Sequence, residues 1–575
     1  MRTERTTVLI VGGGIGGLAT ALTLAQRGVP CRVFEQSPEI RELGVGINTL
    51  PHAIGELAEL GLLERLDAVG LRTYELIYMN RFGQEIWREL RGLDAGHPAP
   101  QFSIHRGALQ GVLRDAVIER LGPGAISTGY RLTGFDQDGD GVTGRFVNAS
   151  GALVETVRGG ALVGADGIHS TVRASLTPGE GPPRWNGTML WRGATDWPSF
   201  LTGRSMIIAG GMEAKVVVYP IAEGEVGHRR LTNWAVMVRT GVQDTLPPRR
   251  EDWSRPGRLD EVLPHVQRFA VGEVDVTALI RSTPVFWEYP VCDRDPLDGW
   301  SRGRVTLLGD AAHAMYPVGS NGASQAILDA RALADALADT DDVSEALRRY
   351  EVARLAPTSE IVHSNRGGGP EGVIDAVQAR APDGFDDIEA VLSHAEREAI
   401  VRGYARQAGF PVSVHDRITT RRTGMASSTG PDVIGAKASI DDIEWNILGQ
   451  IYRPKQLSER SFAWHATFPP DTFVPPHLHP NQDEYVYVLE GQLTLAAGEA
   501  DHVAGVGDLV RLPMGQPHGL FNRSGATTVC LFWVTPTAAL YDLFVAIDAL
   551  EDQTPDAVVA LAGQYDVEFL PPPPS

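Results

Sequence analysis

A chain of 575 residues with 43% hydrophobic residues can bury several cores, and at about 150 residues per domain it is expected to form three or four. Its 72 acidic against 51 basic residues give a formal charge of −21, a surface that repels nucleic-acid phosphates and anionic lipid, so neither is an expected partner. Cys31, Cys292 and Cys530 lie too far apart to read as a disulfide framework, which points to a reducing cytoplasm.

The uncharged stretch between Arg5 and Arg27 mimics a signal peptide or a membrane span. Its glycines fall at fixed spacing, however, and VFE follows directly, so a strand, a turn and a helix are predicted instead. VLIV at 8–11 reads as a buried parallel strand, a helix runs on to Arg27 with Gly28 as its stop, and CRVFE forms a second strand ending at Glu35. Helical spacing marks 107–121, and ALVGA at 161–165 reads as a strand ending at Asp166. From 185 to 290 the pattern is strand-rich, as in AKVVVYPI and NWAVMVR, and predicts a β-sheet subdomain inserted into an α/β frame. The frame resumes with VTLLG at 305–309 and a helix from Ser324 to Ala338; charged helices broken at Gly367–Pro370 follow. Periodicity fades over 411–440, read as a linker. After Ile440, short alternating runs between Pro, Gly, Asn and Asp predict an all-β domain, closed by two helical segments and an extended PPPPS tail. The expected division is therefore 1–184 and 291–410 for the α/β frame, 185–290 for the inserted sheet, 411–440 for the linker and 441–575 for the all-β domain.

Gly12, Gly14 and Gly17 form G-x-G-x-x-G between the first strand and its helix. The first allows a tight turn, the second lets backbone approach a pyrophosphate, and the third permits close helix–strand packing. The helix N-terminus would hold the pyrophosphate, and Glu35 is placed to accept from the adenosine ribose. This site suits NAD or FAD. Arg106 opens the helix in HRGALQ, where a guanidinium can pair with phosphate. Asp166 in GADGIHS and Asp310 in LLGDAAH each follow a strand, where carboxylates face the ligand crevice. Asp310 can reach a polyol hydroxyl, and FAD has a ribityl chain that NAD lacks.

The set GxGxxG, DG and GD resembles the group A flavoprotein aromatic hydroxylases, which share the para-hydroxybenzoate hydroxylase fold. The similarity runs over roughly 8–360, through EIRELGVGIN, PQFSIHRGALQ, LVGADGIHS, MLWRG, DRDPL and LLGDAAHAMYPVGSNGASQAILDA, and within the family it is strongest to the branch that acts on phenazine carboxylates in pyocyanin synthesis. The resemblance implies a Rossmann-like FAD-binding domain with an inserted substrate sheet, and cofactor contacts that include Arg41 and Val45. It also implies reduction by NADH or NADPH without a second nucleotide fold. A C4a-hydroperoxyflavin would then hydroxylate a small aromatic substrate with O2. Pro317, Gly319 and Asn321 lie in a loop leading into a helix at Gly322, whose amides would meet the flavin's pyrimidine edge. Arg192 in WRG is a candidate clamp for a substrate carboxylate, or a partner of a backbone carbonyl or the cofactor. Tyr219, Asn233 and Trp234 are candidate pocket walls, set against plain core packing. His313 reads as support for the cofactor motif rather than as a base.

In the last domain His477-x-His479-x4-Glu484 and, farther on, His518 make a ligand set: positions i and i+2 of a strand share a face. Three imidazoles and a carboxylate suit Fe, Mn, Ni or Zn. The strings VPPHLHPNQDEYVYVLEG and GDLVRLPMGQPH resemble small bacterial cupins of the quercetin-dioxygenase type, over roughly 445–540. The expected activity is hydroxylation of an aromatic or heteroaromatic carboxylic acid, at the carboxylate-bearing carbon if carbon dioxide is lost. The cupin is expected to be a metal-dependent dioxygenase or isomerase acting on that product, or a binding or dimerisation module in a homodimer. No W-x-W-x-I-P string supports a halogenase.

Overall fold

The computed structural model describes residues 7–40, 45–224, 227–242, 246–249, 255–407, 434–435, 438–440, 443–457, 461–497, 500–548, 550, 553–562, 565 and 567–569. The chain divides into two compact units, Met1–Pro411 and Val412–Ser575. Residues 408–433, most of the stretch read as linker, lie outside the described residues, as do Arg41 and the PPPPS tail.

A five-stranded parallel sheet founds the first unit, in the order Val305–Leu307, Ala161–Gly164, Val8–Val11, Cys31–Glu35, Ile126–Thr128. VLIV is buried along its whole length, as a parallel strand covered on both faces requires. Helix Ile15–Gln26 returns the chain to the next strand. Gly28 ends it with a left-handed φ of +68°, and the amides of Gly28 and Val29 reach back to the carbonyls of Ala25 and Leu24.

A seven-stranded sheet runs in the order Phe286–Asp293, Arg184–Pro198, Arg229–Arg239, Ala214–Glu223, Ser205–Gly210, Glu75–Asn80, Glu85–Leu90. It is antiparallel except where Ser205–Gly210 lies parallel to Glu75–Asn80. Two of its strands thus come from before the stretch read as an insertion, and that stretch also holds helices Leu259–Val266 and Val276–Arg281. Glu75–Asn80 is buried at every position, so it shows no alternation that would mark a half-exposed strand. Residues 131–159 form a further three-stranded sheet that the sequence reading leaves unassigned.

Alternation gives the seven-stranded sheet two different faces. Trp191, Val216, Val218, Trp234 and Val236 form one core with the helices at 259–266 and 276–281. Leu190, Val217, Tyr219, Ala235, Met237 and Tyr289 belong to the other face, which packs with Tyr316, Val318 and the helices Gly372–Arg380 and His394–Gln407.

The second unit is the expected all-β barrel, built from a six-stranded and a five-stranded sheet. Trp464 is stacked between Phe462 and Phe532 at 4.8 and 5.2 Å in its core. Helices Leu540–Asp548 and Pro555–Ala562 supply Leu540, Phe544 and Val558 to the same core, and the short strand Glu568–Phe569 pairs with Phe473–Leu478. No described helix is long and apolar enough to cross a membrane. All three cysteines are free, and burial pushes the thiols of Cys31 and Cys530 up to about 12.

Candidate active site and metal centre

The glycine turn is a cradle with no room to spare. Gly12 has a φ of +113°, and a Cβ there would lie 2.2 Å from the Ala165 carbonyl oxygen; a Cβ on Gly17 would lie 2.0 Å from the Gly12 oxygen. Gly14, by contrast, caps helix Ile15–Gln26 and faces open space, with nothing within 4 Å of an added Cβ. That opening before a helix N-terminus fits a pyrophosphate. Glu35 accepts at 2.8 Å from the amides of Gly13 and Ser37, so its carboxylate ties the turn to the strand end and keeps lone pairs for a ribose hydroxyl. Gln110, which the sequence did not single out, donates its amide to the Gly13 carbonyl.

Arg106 opens helix Arg106–Leu121, and its own amide donates to the carbonyl of Val45, which is buried. Burial lowers the basicity of the Arg106 guanidinium, and Asp310 works against that loss. Asp310 itself is exposed, and its Oδ1 lies 3.9 Å from where a Cβ on Gly322 would stand. The structure therefore brings together Arg106, Asp310 and Gly322. Asp166 is engaged elsewhere: its carboxylate accepts from Ser170 Oγ and from the amides of Thr171 and Val172, at the start of helix Thr171–Leu176.

Pro317 is exposed at the head of the loop, and Val318–Ser320 forms a single 3-10 turn in which Gly319 and Ser320 both have positive φ, +69° and +59°. Asn321 precedes helix Gly322–Asp339 and is fully buried. Its amide donates to the Tyr404 hydroxyl at 2.7 Å and its oxygen accepts from Gln325, so the side chain braces the loop from behind. His313 is also interior. Its Nε2 faces Asp329, which takes further bonds from Arg354 Nε and the Gly309 amide.

Arg192 takes up the backbone-carbonyl role weighed for it, with Nη2 donating to Gly46 and Nη1 to the Tyr289 hydroxyl, while its Nε is buried without a partner. Asn233 accepts from the Gly46 amide, so both residues fasten strand Gly46–Thr49 to the sheet. Tyr219 lies on the face toward Tyr316 and Val318, with its hydroxyl pushed up to about 12 by burial. Trp234 is on the opposite face, where its indole donates to Thr283, and so belongs to the core.

In the barrel, His477 on strand Phe473–Leu478 stands opposite His518 on strand His518–Phe521, and Glu484 comes from Asp483–Glu490. The four ligand atoms of His477, His479, Glu484 and His518 lie within 4.8 Å of one another, and all four residues are buried. Glu484 Oε2 is 3.1 Å from the Nε2 atoms of both His479 and His518. Every histidine is oriented from outside: Nδ1 of His477 and of His518 donates to the carbonyls of Pro475 and Gln516. His479 Nδ1 meets Gln482 Oε1, and Gln482 is itself fixed because its Nε2 donates to the carbonyls of Pro536 and Thr537. With Nδ1 so occupied, Nε2 is the atom each ring turns inward, where His479 and His518 face Glu484 and where a deprotonated Nε2 can ligate a metal. Against burial, the two imidazoles hold the Glu484 carboxyl well below its usual range, and burial with its neighbours lowers His477 to about 3. The donor set fits a divalent metal. Around it, Tyr452, Trp464, Leu520, Phe532, Phe544 and Phe569 line an apolar cavity of about 40 Å³.

A dinucleotide cradle leading to a loop beneath an apolar sheet face is the arrangement of an FAD-dependent aromatic monooxygenase. The chain belongs to the FAD binding domain family, which matches residues 5–364, and the Cupin domain family matches 464–535. It is 46% identical over 369 residues to phenazine 1,6-dicarboxylic acid hydroxylase PhzS of Lysobacter antibioticus, covering 63% of this chain and 89% of that protein. It is 35% identical over 376 residues to 3-amino-4-hydroxybenzoate 2-monooxygenase PtnB3 of Streptomyces platensis, covering 64% and 89%. Among solved structures, the R204Q variant of Klebsiella pneumoniae HpxO complexed with FAD shares the fold at a TM-score of 0.56 and 23% identity, covering 71% of this chain and 99% of that one. A salicylate hydroxylase substrate complex does so at 0.55 and 22%, covering 72% and 98%.

Proposed function

We propose that this monooxygenase hydroxylates an aromatic or heteroaromatic carboxylic acid with electrons from NADH or NADPH. The observation that carries this reading is the apolar cluster of Leu190, Tyr289, Val291 and Tyr316 beside the flavin loop, with Arg192 on the same sheet face and its buried Nε–H without a partner. The cluster suits a flat ring, and the free N–H suits a carboxylate oxygen. Gly12, Gly14, Gly17, Glu35, Arg106 and Asp310 would hold FAD, which when bound supplies activated oxygen; Arg41 and Val45 are assigned to it on family resemblance. The residues of this chain bind and orient the ring, and the sheet shields it from water. One oxygen atom of O2 enters the ring and the other leaves as water. Relatives named for phenazine dicarboxylate and aminohydroxybenzoate support a carboxylated ring. The test is oxygen uptake with NADH or NADPH across a panel of aryl carboxylates, with carbon dioxide release reporting decarboxylation. No stimulation by any of them overturns the reading.

We further infer that His477, His479, Glu484 and His518 hold a divalent metal, which elemental analysis of the purified protein tests: metal absent from the native protein and present in none of its reconstituted forms would reject it. A cupin that processes the flavin product is disfavoured by the cavity. At about 40 Å³ it holds two or three waters, whereas an apolar cavity that takes up benzene measures roughly 150 Å³. A changed product profile in His477→Ala/His479→Ala would restore that second role.

A further inference from the structure

Tyr404 lies in helix His394–Gln407, beyond residue 364 where the family match ends. Three contacts join its phenol to the loop before helix Gly322–Asp339. Its hydroxyl accepts from Asn321 Nδ2 at 2.7 Å and donates to the Val318 carbonyl at 3.3 Å. Between those two residues, a Cβ on Gly319 would stand 2.3 Å from the same hydroxyl oxygen, so only a glycine lets the phenol come this close. From behind, the ring is held by Gly369, where an added Cβ would be 3.3 Å from Tyr404 Cε2 and 2.7 Å from Val318 Cγ1, and by its cluster with Ile361 and Met315. The phenol is 5% exposed, and burial raises its hydroxyl well above the usual range, so it stays protonated and keeps its donor.

The loop it grips carries two successive residues in the left-handed region, one of them Ser320, a conformation that non-glycine residues keep only when their surroundings hold it. The hydroxyl occupies the acceptor of Val318 and the donor of Asn321 on either side of those residues. It thereby fixes the path of the backbone whose amides end at Gly322. We propose that Tyr404 is a positioning residue for the flavin loop, setting the amides that stabilise negative charge on the reduced flavin. This rests on the assignment of residues 317–322 to the flavin.

The experiment is the midpoint potential of the FAD-loaded full chain, measured against a reference dye, for wild type, Tyr404→Phe and Gly319→Ala. Tyr404→Phe keeps the ring and removes only the hydroxyl. It is expected to bind FAD and to fold with a modestly lowered melting temperature, but also to disfavour two-electron reduction by roughly three- to ten-fold in the equilibrium constant, the net worth of one hydrogen bond. A wild-type potential in Tyr404→Phe with a shifted one in Gly319→Ala overturns the role of Tyr404 alone. Wild-type potentials in both variants overturn the flavin-loop assignment with it. A Tyr404→Phe protein that melts early with an unshifted potential shows packing and nothing more, and also overturns the proposal.

Discussion

His313 Nε2 lies 2.6 Å from Asp329 Oδ2, and both residues are buried. Asp329 also holds Arg354 and the amide of Gly309, so one carboxylate fixes the strand end that presents Asp310. Burial alone would raise its pKa, but His313 and Arg354 bring it down to about 2. A carboxylate depressed in the folded state adds stability above its unfolded pKa near 4 and loses it as pH falls through 2. Asp329→Asn should cost about 3 kcal/mol at pH 7 by leaving Arg354 without its carboxylate. The gap to wild type should shrink by about 2 kcal/mol between pH 5 and pH 2. Urea denaturation at the three pH values checks both; a constant gap refutes the coupling.

The two glycines at the head of the cradle should separate folding from binding. Gly12→Ala meets the backbone of Ala165 and keeps an unsuitable φ, so it should destabilise the first unit by about 2 kcal/mol and purify without flavin. Gly14→Ala meets nothing within 4 Å and should melt like wild type, yet bind FAD at least about ten-fold more weakly by filling the pyrophosphate's approach. Melting curves and flavin titrations distinguish the two.

Arg192 makes two bonds to the protein from its Nη atoms, and its buried Nε–H has no partner. Arg192→Lys keeps the charge but cannot reproduce that fork. Its KM for an accepted aryl carboxylate should rise about ten- to one-hundred-fold, the range for a charged hydrogen bond, with FAD content unchanged. Steady-state kinetics at saturating reductant read this out, and an unaltered KM removes Arg192 from the substrate site.

Gln482 touches no metal ligand atom, but it sets which nitrogen of His479 faces inward. Gln482→Ala should weaken metal binding by about ten- to one-hundred-fold. Competition with a chromophoric chelator measures it, and equal affinity in the variant would mean that the ring is oriented by packing alone.

How far the sequence reached depended on the distance over which each feature is built. The glycine cradle and the pair His477 and His479 are local, so their spacing carries their geometry, and the acidic residue after the second strand came with them. Strand Glu75–Asn80 was illegible as a sheet member because one of its partners, Ser205–Gly210, lies far along the chain, and Glu85–Leu90 joins the sheet only through Glu75–Asn80. Asp166 could not be seen as an acceptor for the first amides of a helix until Ser170 and Thr171 folded back on it. Arg192 offered a charge in a motif, while its partners Gly46 and Tyr289 are set by two different strands. Tyr404 had no motif at all; its meaning comes from a loop 83 positions away.

The cysteines have a consequence for durability. A monooxygenase that turns over without a well-seated substrate releases hydrogen peroxide at its own surface, and peroxide attacks thiolate rather than thiol. With their ionisation pushed up to about 12 by burial, Cys31 and Cys530 stay in the thiol form at pH 7. Peroxide released by wasteful turnover would therefore meet thiols rather than thiolates at these two positions.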